Sequence, residues 1–226
     1  MSGALRIERV VTSGVFELDG GTWNVDNNVW LIGDDHDVVV VDAAHDDAPI
    51  VEAVGNRRVA AIVCTHGHND HISVAPQLGD RLDAPVLLHP AESHSGENEM
   101  AVDSRPPTVG DDPPEPNVPG DGRRRTNRRR GDVAGTTLEV IPPGHSPGSV
   151  CLHLSEAHAL FSGDTLFAGG PGATGRSFSD FPTIITSIRD LLFPLGGNTL
   201  VHTGHGDTTT IQNEAPHLDE WIRRGH

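Results

Sequence analysis

The chain has 226 residues and a formal net charge of −16; 35% of it is hydrophobic, its 16 positive charges are all arginine, and tyrosine is absent. That length buries a sizeable core as one domain, while an acidic surface repels phosphate and argues against nucleic-acid or anionic-membrane partners. No apolar run approaches the roughly 18 residues of a membrane span, and the N-terminus has no signal-peptide core, so a soluble cytoplasmic protein is expected.

In chain order, "RIERVVTSGVFEL" and "WNVDNNVWLIGDDHDVVVVDA" carry β-branched runs split by Gly and Asp clusters, the pattern of strands and hairpins. "DDAPIVEAVG" reads as a short helix with an Asp at its start and Gly55 as its stop. "VAAIVCT" and "APVLLHP" read as buried strands, so helix and strand alternate in α/β layers. From about residue 95 to 134 periodicity fails, and six arginines crowd the eight residues of "RRRTNRRR"; this stretch is expected to be an irregular insertion in an otherwise single domain spanning 1–226. "TTLEVIPPG", "SVCLHLS" and "HALFSGD" resume the strands. "FPTIITSIRDLLFPLG" is expected to be a helix with Ile184, Ile185, Ile188, Leu191 and Leu192 on one face, "NTLVHTGHGD" a last strand and loop, and "NEAPHLDEWIRRGH" a closing helix. Cys64 and Cys151 lie inside apolar runs and read as buried strand residues, not a disulfide.

The chemistry concentrates in "AIVCTHGHNDHI", where a buried strand stops and three histidines and an aspartate follow within six residues. In extended backbone, residues two apart point the same way, so His66 and His68 can converge on one ion; a turn after them can swing Asp70 and His71 toward a second. Imidazole and carboxylate suit Zn²⁺, with Fe or Mn as alternatives. Three more candidates share one context, an apolar strand stopping at a Gly-rich loop: His145 in "PPGHSPGS", Asp164 in "LFSGDTLF" and His205 in "LVHTGHGD". The remaining histidines lack that context and read as packing or solvent-facing residues, with His202, the one nearest the site, also a candidate outer support for a ligand.

The ordered set HxHxDH, GHSPG, SGD and GHG resembles the metallo-β-lactamase superfamily and, within it, the glyoxalase II-like (hydroxyacylglutathione hydrolase-like) hydrolases. The resemblance implies a four-layer αββα sandwich with two divalent ions at one edge of the sheets. It assigns His66, His68 and His145 to one ion, Asp70, His71 and His205 to the other, and Asp164 as the bridge, together with a hydroxide. In some of these enzymes a separate C-terminal helical domain holds glutathione; in this sequence 20 residues follow the GHG loop.

A bridging hydroxide at neutral pH attacks a carbonyl that the ions polarise, and Asp70 can orient that nucleophile or take its proton. A thiol, with a reference pKa of about 8.5, leaves readily as thiolate, whereas an amine must be protonated first. A site without Lys or Tyr therefore suits the thioester of a low-molecular-weight thiol. Arg176, in the Gly-rich stretch after Asp164, is a candidate anchor for a substrate carboxylate; pairing with Asp180 as a structural loop cation is an equal alternative. The competing functions are a mononuclear iron persulfide dioxygenase, a lactonase, a β-lactamase-like hydrolase, and a non-enzymatic or nucleic-acid-processing member.

Overall fold

The computed structural model describes residues 4–92, 129–133, 136–141, 145–175 and 179–225, with backbone alone for 129–133 and 136. Strands β1 (Arg6–Leu18) and β2 (Gly21–Gly33) form one long antiparallel hairpin. Its two-residue turn is Asp19-Gly20, both at positive φ (50° and 76°), matching the twist of the flanking strands. β3 (Asp37–Val41) pairs antiparallel with β2. Helix α1 (Asp47–Val54) starts where the Asp46 side chain accepts the Ala48 amide and stops at Gly55. β4 (Arg58–Val63) then runs parallel to β3. Helices α2 (Asn69–Ile72) and α3 (Ala75–Leu82) precede β5 (Val86–Leu87), which closes a sheet of order β1-β2-β3-β4-β5.

The second sheet gathers β6 (Arg129–Val133), β7 (Thr136–Ile141), β8 (Cys151–Leu154) and β9 (Ala159–Gly163). A small hairpin, β10 (Leu166–Phe167) and β11 (Gly170–Pro171), leads to helix α4 (Phe181–Ser187), which Asp180 caps and a wider helical turn extends over Ile188–Leu192. β12 (Leu200–Thr203) returns parallel to β9 and is followed by β13 (Thr209–Thr210), α5 (Ile211–Glu214) and α6 (Leu218–Arg224). The order is β13-β12-β9-β8-β7-β6.

Period-two alternation sorts the strands into layers. Val29, Leu31, Val38 and Val40 pack with Ile50, Val54 and Leu78 of α1 and α3. Their neighbours Trp30, Ile32, Val39 and Val41 turn the other way and meet Leu138, Leu152, Leu154 and Phe161 of the second sheet. Beyond it, Cys151, Leu160 and Val201 pack with Ile184, Ile185 and Ile188 beside α4 and Trp221 of α6. Four layers, αββα, result. β3 reads as an unbroken valine run because both of its faces are covered.

Two local expectations differ. "APVLLHP" yields a strand of only two residues, and the C-terminal helix is split by a tight turn at Ala215–His217, where Pro216 has no N–H to continue the ladder. The expected irregular insertion lies largely outside the described residues, but its end, Arg129–Val133, pairs with β7 as a strand. Cys64 and Cys151 are buried free thiols, and among the described residues no helix is long and apolar enough to cross a membrane.

The layers make a stability prediction. Ile184 is fully buried, so Ile184→Ala should cost about 2–5 kcal/mol in urea unfolding. Leu200 is 38% exposed on the outer strand end, and Leu200→Ala should stay within about 0.5 kcal/mol.

Candidate metal centre

The seven side chains singled out from the sequence meet at one edge of the sandwich. β4 ends two residues before Thr65; His66 follows in a bend and His68 in extended backbone, and the turn expected after them is helix α2, whose first turn carries Asp70 and His71. Asp164 follows β9, His205 follows β12, and His145 lies in the loop before β8. Hydrogen bonds between the sheets hold this edge closed. The Asn28 side chain of β2 donates to the carbonyls of Thr203 (3.0 Å) and Gly206 (2.9 Å), Trp30 Nε1 donates to Thr203 O (3.0 Å), and Val150 N donates to Thr65 O (2.7 Å).

The donor atoms fall into two groups. His68 Nδ1 lies 2.9 Å from His66 Nε2 and 3.1 Å from His145 Nε2. His205 Nε2 lies 3.2 Å from His71 Nε2 and 3.3 Å from Asp70 Oδ2, and His71 Nε2 is 3.7 Å from that oxygen. Asp164 stands between them: Oδ1 is 3.3 Å from His71 Nε2, Oδ2 is 3.5 Å from His205 Nε2, and with His66 and His71 it offers a third set of converging donors. Bonds of about 2.0–2.1 Å in a tetrahedron set neighbouring donors roughly 3.3 Å apart, so both groups fit the span of a divalent ion.

Outer partners fix which nitrogen faces inward. Thr65 Oγ1 donates to Asp42 Oδ2 (2.8 Å), so it accepts from His66 Nδ1 at 3.1 Å and leaves His66 Nε2 with its lone pair toward the site. Asp42 Oδ2 also accepts from His71 Nδ1 (3.0 Å), and the Asp26 carbonyl accepts from His205 Nδ1 (2.8 Å). Asn27, fully buried on β2, donates its amide to Asp70 Oδ2 (3.2 Å), and His45 Nε2 holds the amide oxygen at 2.8 Å. Asp70 Oδ1 and Asp164 Oδ1 are buried without a hydrogen bond among the described residues, as oxygens left for an ion or for the water it holds would be.

Electrostatics divide the centre. Burial, reinforced by neighbouring imidazoles, pushes His66 well below its ordinary value and His68 down to about 4; burial likewise lowers His145. At the other end burial is overcome by carboxylates: Asp164 and Asp42 raise His71 well above its ordinary value, and Asp164 and Asp70 lift His205 to about 10. Against burial, His71 and His205 hold Asp164 well below the carboxylate range, and His205 lowers Asp70. Backbone clearance matters as well. A Cβ on Gly204 would stand 2.4 Å from Asp164 Oδ1 and 2.8 Å from His71 Cε1, so only glycine admits both.

Other readings resolve differently. His202 packs its ring against Phe161 (4.8 Å, stacked) and Trp30 (4.4 Å) between the sheets and touches none of the seven, so it is core filling. Asp180 caps α4 by accepting from Thr183 N and Oγ1 (2.9 and 2.6 Å). Arg176 lies outside the described residues. Asp42, Asn27, His45 and Glu92 support the centre and were not among the expected site residues. Asp42 carries the same signal that flagged Asp164, an acid ending an apolar strand.

Cation binding at the two groups should differ in its proton balance. The His66, His68 and His145 rings are held below the ordinary imidazole range and are neutral at pH 7.5, so an ion there displaces almost no protons and its affinity changes little as pH rises above neutrality. Carboxylates hold protons on His71 and His205 above the ordinary imidazole range, at His205 up to about 10, so an ion there releases protons and gains affinity as pH rises. Calorimetric titration of chelator-treated protein, in buffers of different ionisation enthalpy, should resolve one step of each kind.

Comparison with known proteins agrees with this geometry. Residues 23–205 match the family description "Metallo-beta-lactamase superfamily". Over 202 residues the chain is 32% identical to the probable metallo-hydrolase YqgX of Bacillus subtilis, covering 85% of this chain and 92% of that one. It is 28% identical to the hydroxyacylglutathione hydrolase GloC of Haemophilus influenzae, covering 83% and 89%. Among solved structures, the BLEG-1 B3 metallo-β-lactamase superposes with a TM-score of 0.68 at 26% identity, covering 92% of this chain and 98% of that one. TTHA1623 in a di-iron-bound form superposes with a TM-score of 0.64 at 28% identity, covering 84% and 93%. Fold, strand-end histidines and a family match over most of its length together make this chain a member of the metallo-β-lactamase superfamily.

Proposed function

We propose that the chain is a cytoplasmic binuclear metal hydrolase that cleaves thioesters of a low-molecular-weight thiol. The carrying observation is that the second donor group, Asp70, His71 and His205, is as well assembled as the first, with Asp164 within reach of both. His66, His68 and His145 would hold one ion, Asp70, His71 and His205 the other, with Asp164 shared between them. Imidazole and carboxylate donors accept zinc, iron and manganese; zinc is the proposed metal, and iron gains weight from the di-iron relative.

When bound, such ions supply a water that ionises near neutral pH and an electrophile for a carbonyl oxygen. The chain supplies the rest. Asn27 steadies Asp70 through Oδ2, leaving Oδ1 to orient the attacking water and take its proton. No lysine or tyrosine exists in the chain to protonate a poor leaving group, and a thiolate needs no protonation. Phe16 lies 5.4 Å from His68 with Trp23 5.6 Å beyond it, and Phe167 lies 6.1 Å from His205, so aromatic rings flank both ends for the apolar part of a small substrate. Arg176 is proposed as the anchor for a substrate carboxylate. The chain's acidity disfavours nucleic acid or an anionic membrane as a partner. The hydroxyacylglutathione hydrolase relative favours this substrate class.

Elemental analysis together with a thioester panel that includes S-lactoylglutathione tests the reading. About two ions per chain and thioester turnover are expected. One iron with sulfite production from a persulfide, or β-lactam hydrolysis with every thioester untouched, would replace it.

Asp164→Ala should lose bound metal and turnover together while the circular dichroism spectrum stays native. Retained turnover would rule out the shared aspartate.

A further inference from the structure

Glu92 ends the short turn Pro90–Glu92 after β5 and is 7% exposed. Its carboxylate joins two loops that are distant in sequence. Oε2 accepts the Gly67 amide at 2.8 Å, between His66 and His68. Oε1 accepts the Ser146 hydroxyl at 2.8 Å and the Gly148 amide at 2.5 Å, on the loop that carries His145. The approach is close: a Cβ on Gly148 would stand 2.9 Å from both Glu92 Cγ and Glu92 N.

His145 needs such a support. His66, His71 and His205 are each oriented by a partner on Nδ1, namely Thr65, Asp42 and the Asp26 carbonyl. His145 Nδ1 is buried and has no hydrogen bond among the described residues. Among the described residues the ring is positioned by its loop, and Glu92 holds that loop.

We propose that Glu92 is a positioning residue that assembles the His66–His68–His145 group, and that it acts on this ion and not on the one at Asp70, His71 and His205. Its hydrogen bonds to Gly67, Ser146 and Gly148 all fall on the two loops that carry the first group, while the second group is oriented through Asp42, Asn27 and Asp26. A carboxylate can accept on both oxygens, and hydrogen bonds to a charged acceptor are the stronger kind. A glutamine of the same shape accepts on one oxygen and sets an NH₂ against the donors of the other loop, so the loops part with the core unchanged.

The inference rests on the metal-centre reading of the preceding section but not on the substrate. Its test is zinc affinity, measured by competition with a chromophoric chelator, alongside the melting temperature of the chelator-treated protein. Glu92→Gln should weaken one of two zinc steps by about 10- to 100-fold, the usual effect of losing a ligand's outer support. The other step and the melting temperature should hold. His145→Ala, which deletes a donor of the same group, identifies the affected step. Ser146→Ala, which removes one of the staple's donors, should weaken that step less.

Unchanged zinc affinity in Glu92→Gln overturns the proposal. So does equal weakening of both steps, or unfolding of Glu92→Gln with Ser146→Ala binding zinc as wild type. Wild-type protein that binds no divalent ion overturns the metal-centre reading and this inference together. Zinc binding as expected without thioester turnover overturns the substrate alone.

Discussion

Two carboxylates and five imidazoles share one largely buried edge of this sandwich, and much of the surrounding structure exists to make that tolerable. Removing such groups from water is expensive unless each meets an opposite charge or a hydrogen bond. Asp42 shows the accommodation most clearly. Its backbone sits at a φ of 60°, a conformation costing on the order of 1 kcal/mol for a side-chain-bearing residue. In return its oxygens accept from Thr65 N at 2.7 Å, Thr65 Oγ1 at 2.8 Å and His71 Nδ1 at 3.0 Å. One strained residue thus sets the orientation of two imidazoles, one in each donor group.

The sandwich supplies rigidity for that edge. Strand ends from both sheets converge there, and the valine-rich β3 and the apolar β9 are anchored on both faces by the three core layers. Asp164 and His205 stand only one and two residues beyond β9 and β12 and have little freedom to drift, while the loops carrying the other donors are tied by hydrogen bonds such as Val150 N to Thr65 O and Gly67 N to Glu92. This is why the donors lie at ion-like separations although they are spread over more than half of the chain.

That arrangement was legible in the sequence where the signal was local. Alternating apolar strands and the run Val38–Val41 announce layered sheets, and a histidine or aspartate placed where an apolar strand breaks at glycine announces a donor. Helix α3 spans only eight residues directly after the four-residue α2, too few turns for a helical period to stand out, and its Gly79 lets Val86 pack close, a Cβ at that position standing 2.8 Å from it. The supporting residues were illegible for another reason. Asn27 and Glu92 act through neighbours that are remote in sequence, so nothing in their own surroundings distinguishes them from ordinary strand and turn residues. Asp42 could have been found, since it shares the strand-end position that flagged Asp164.

Because the three imidazoles of one group are all present by residue 145 and the other group needs His205, translation delivers them in sequence. On the binuclear reading the donors of the first ion are therefore all synthesised before those of the second are complete. The acidic pocket that competes with protons for the second cation is completed only when the late strand β12 is in place. Cofactor loading would then follow the order of synthesis, with the second ion arriving as a seal on a chain already folded.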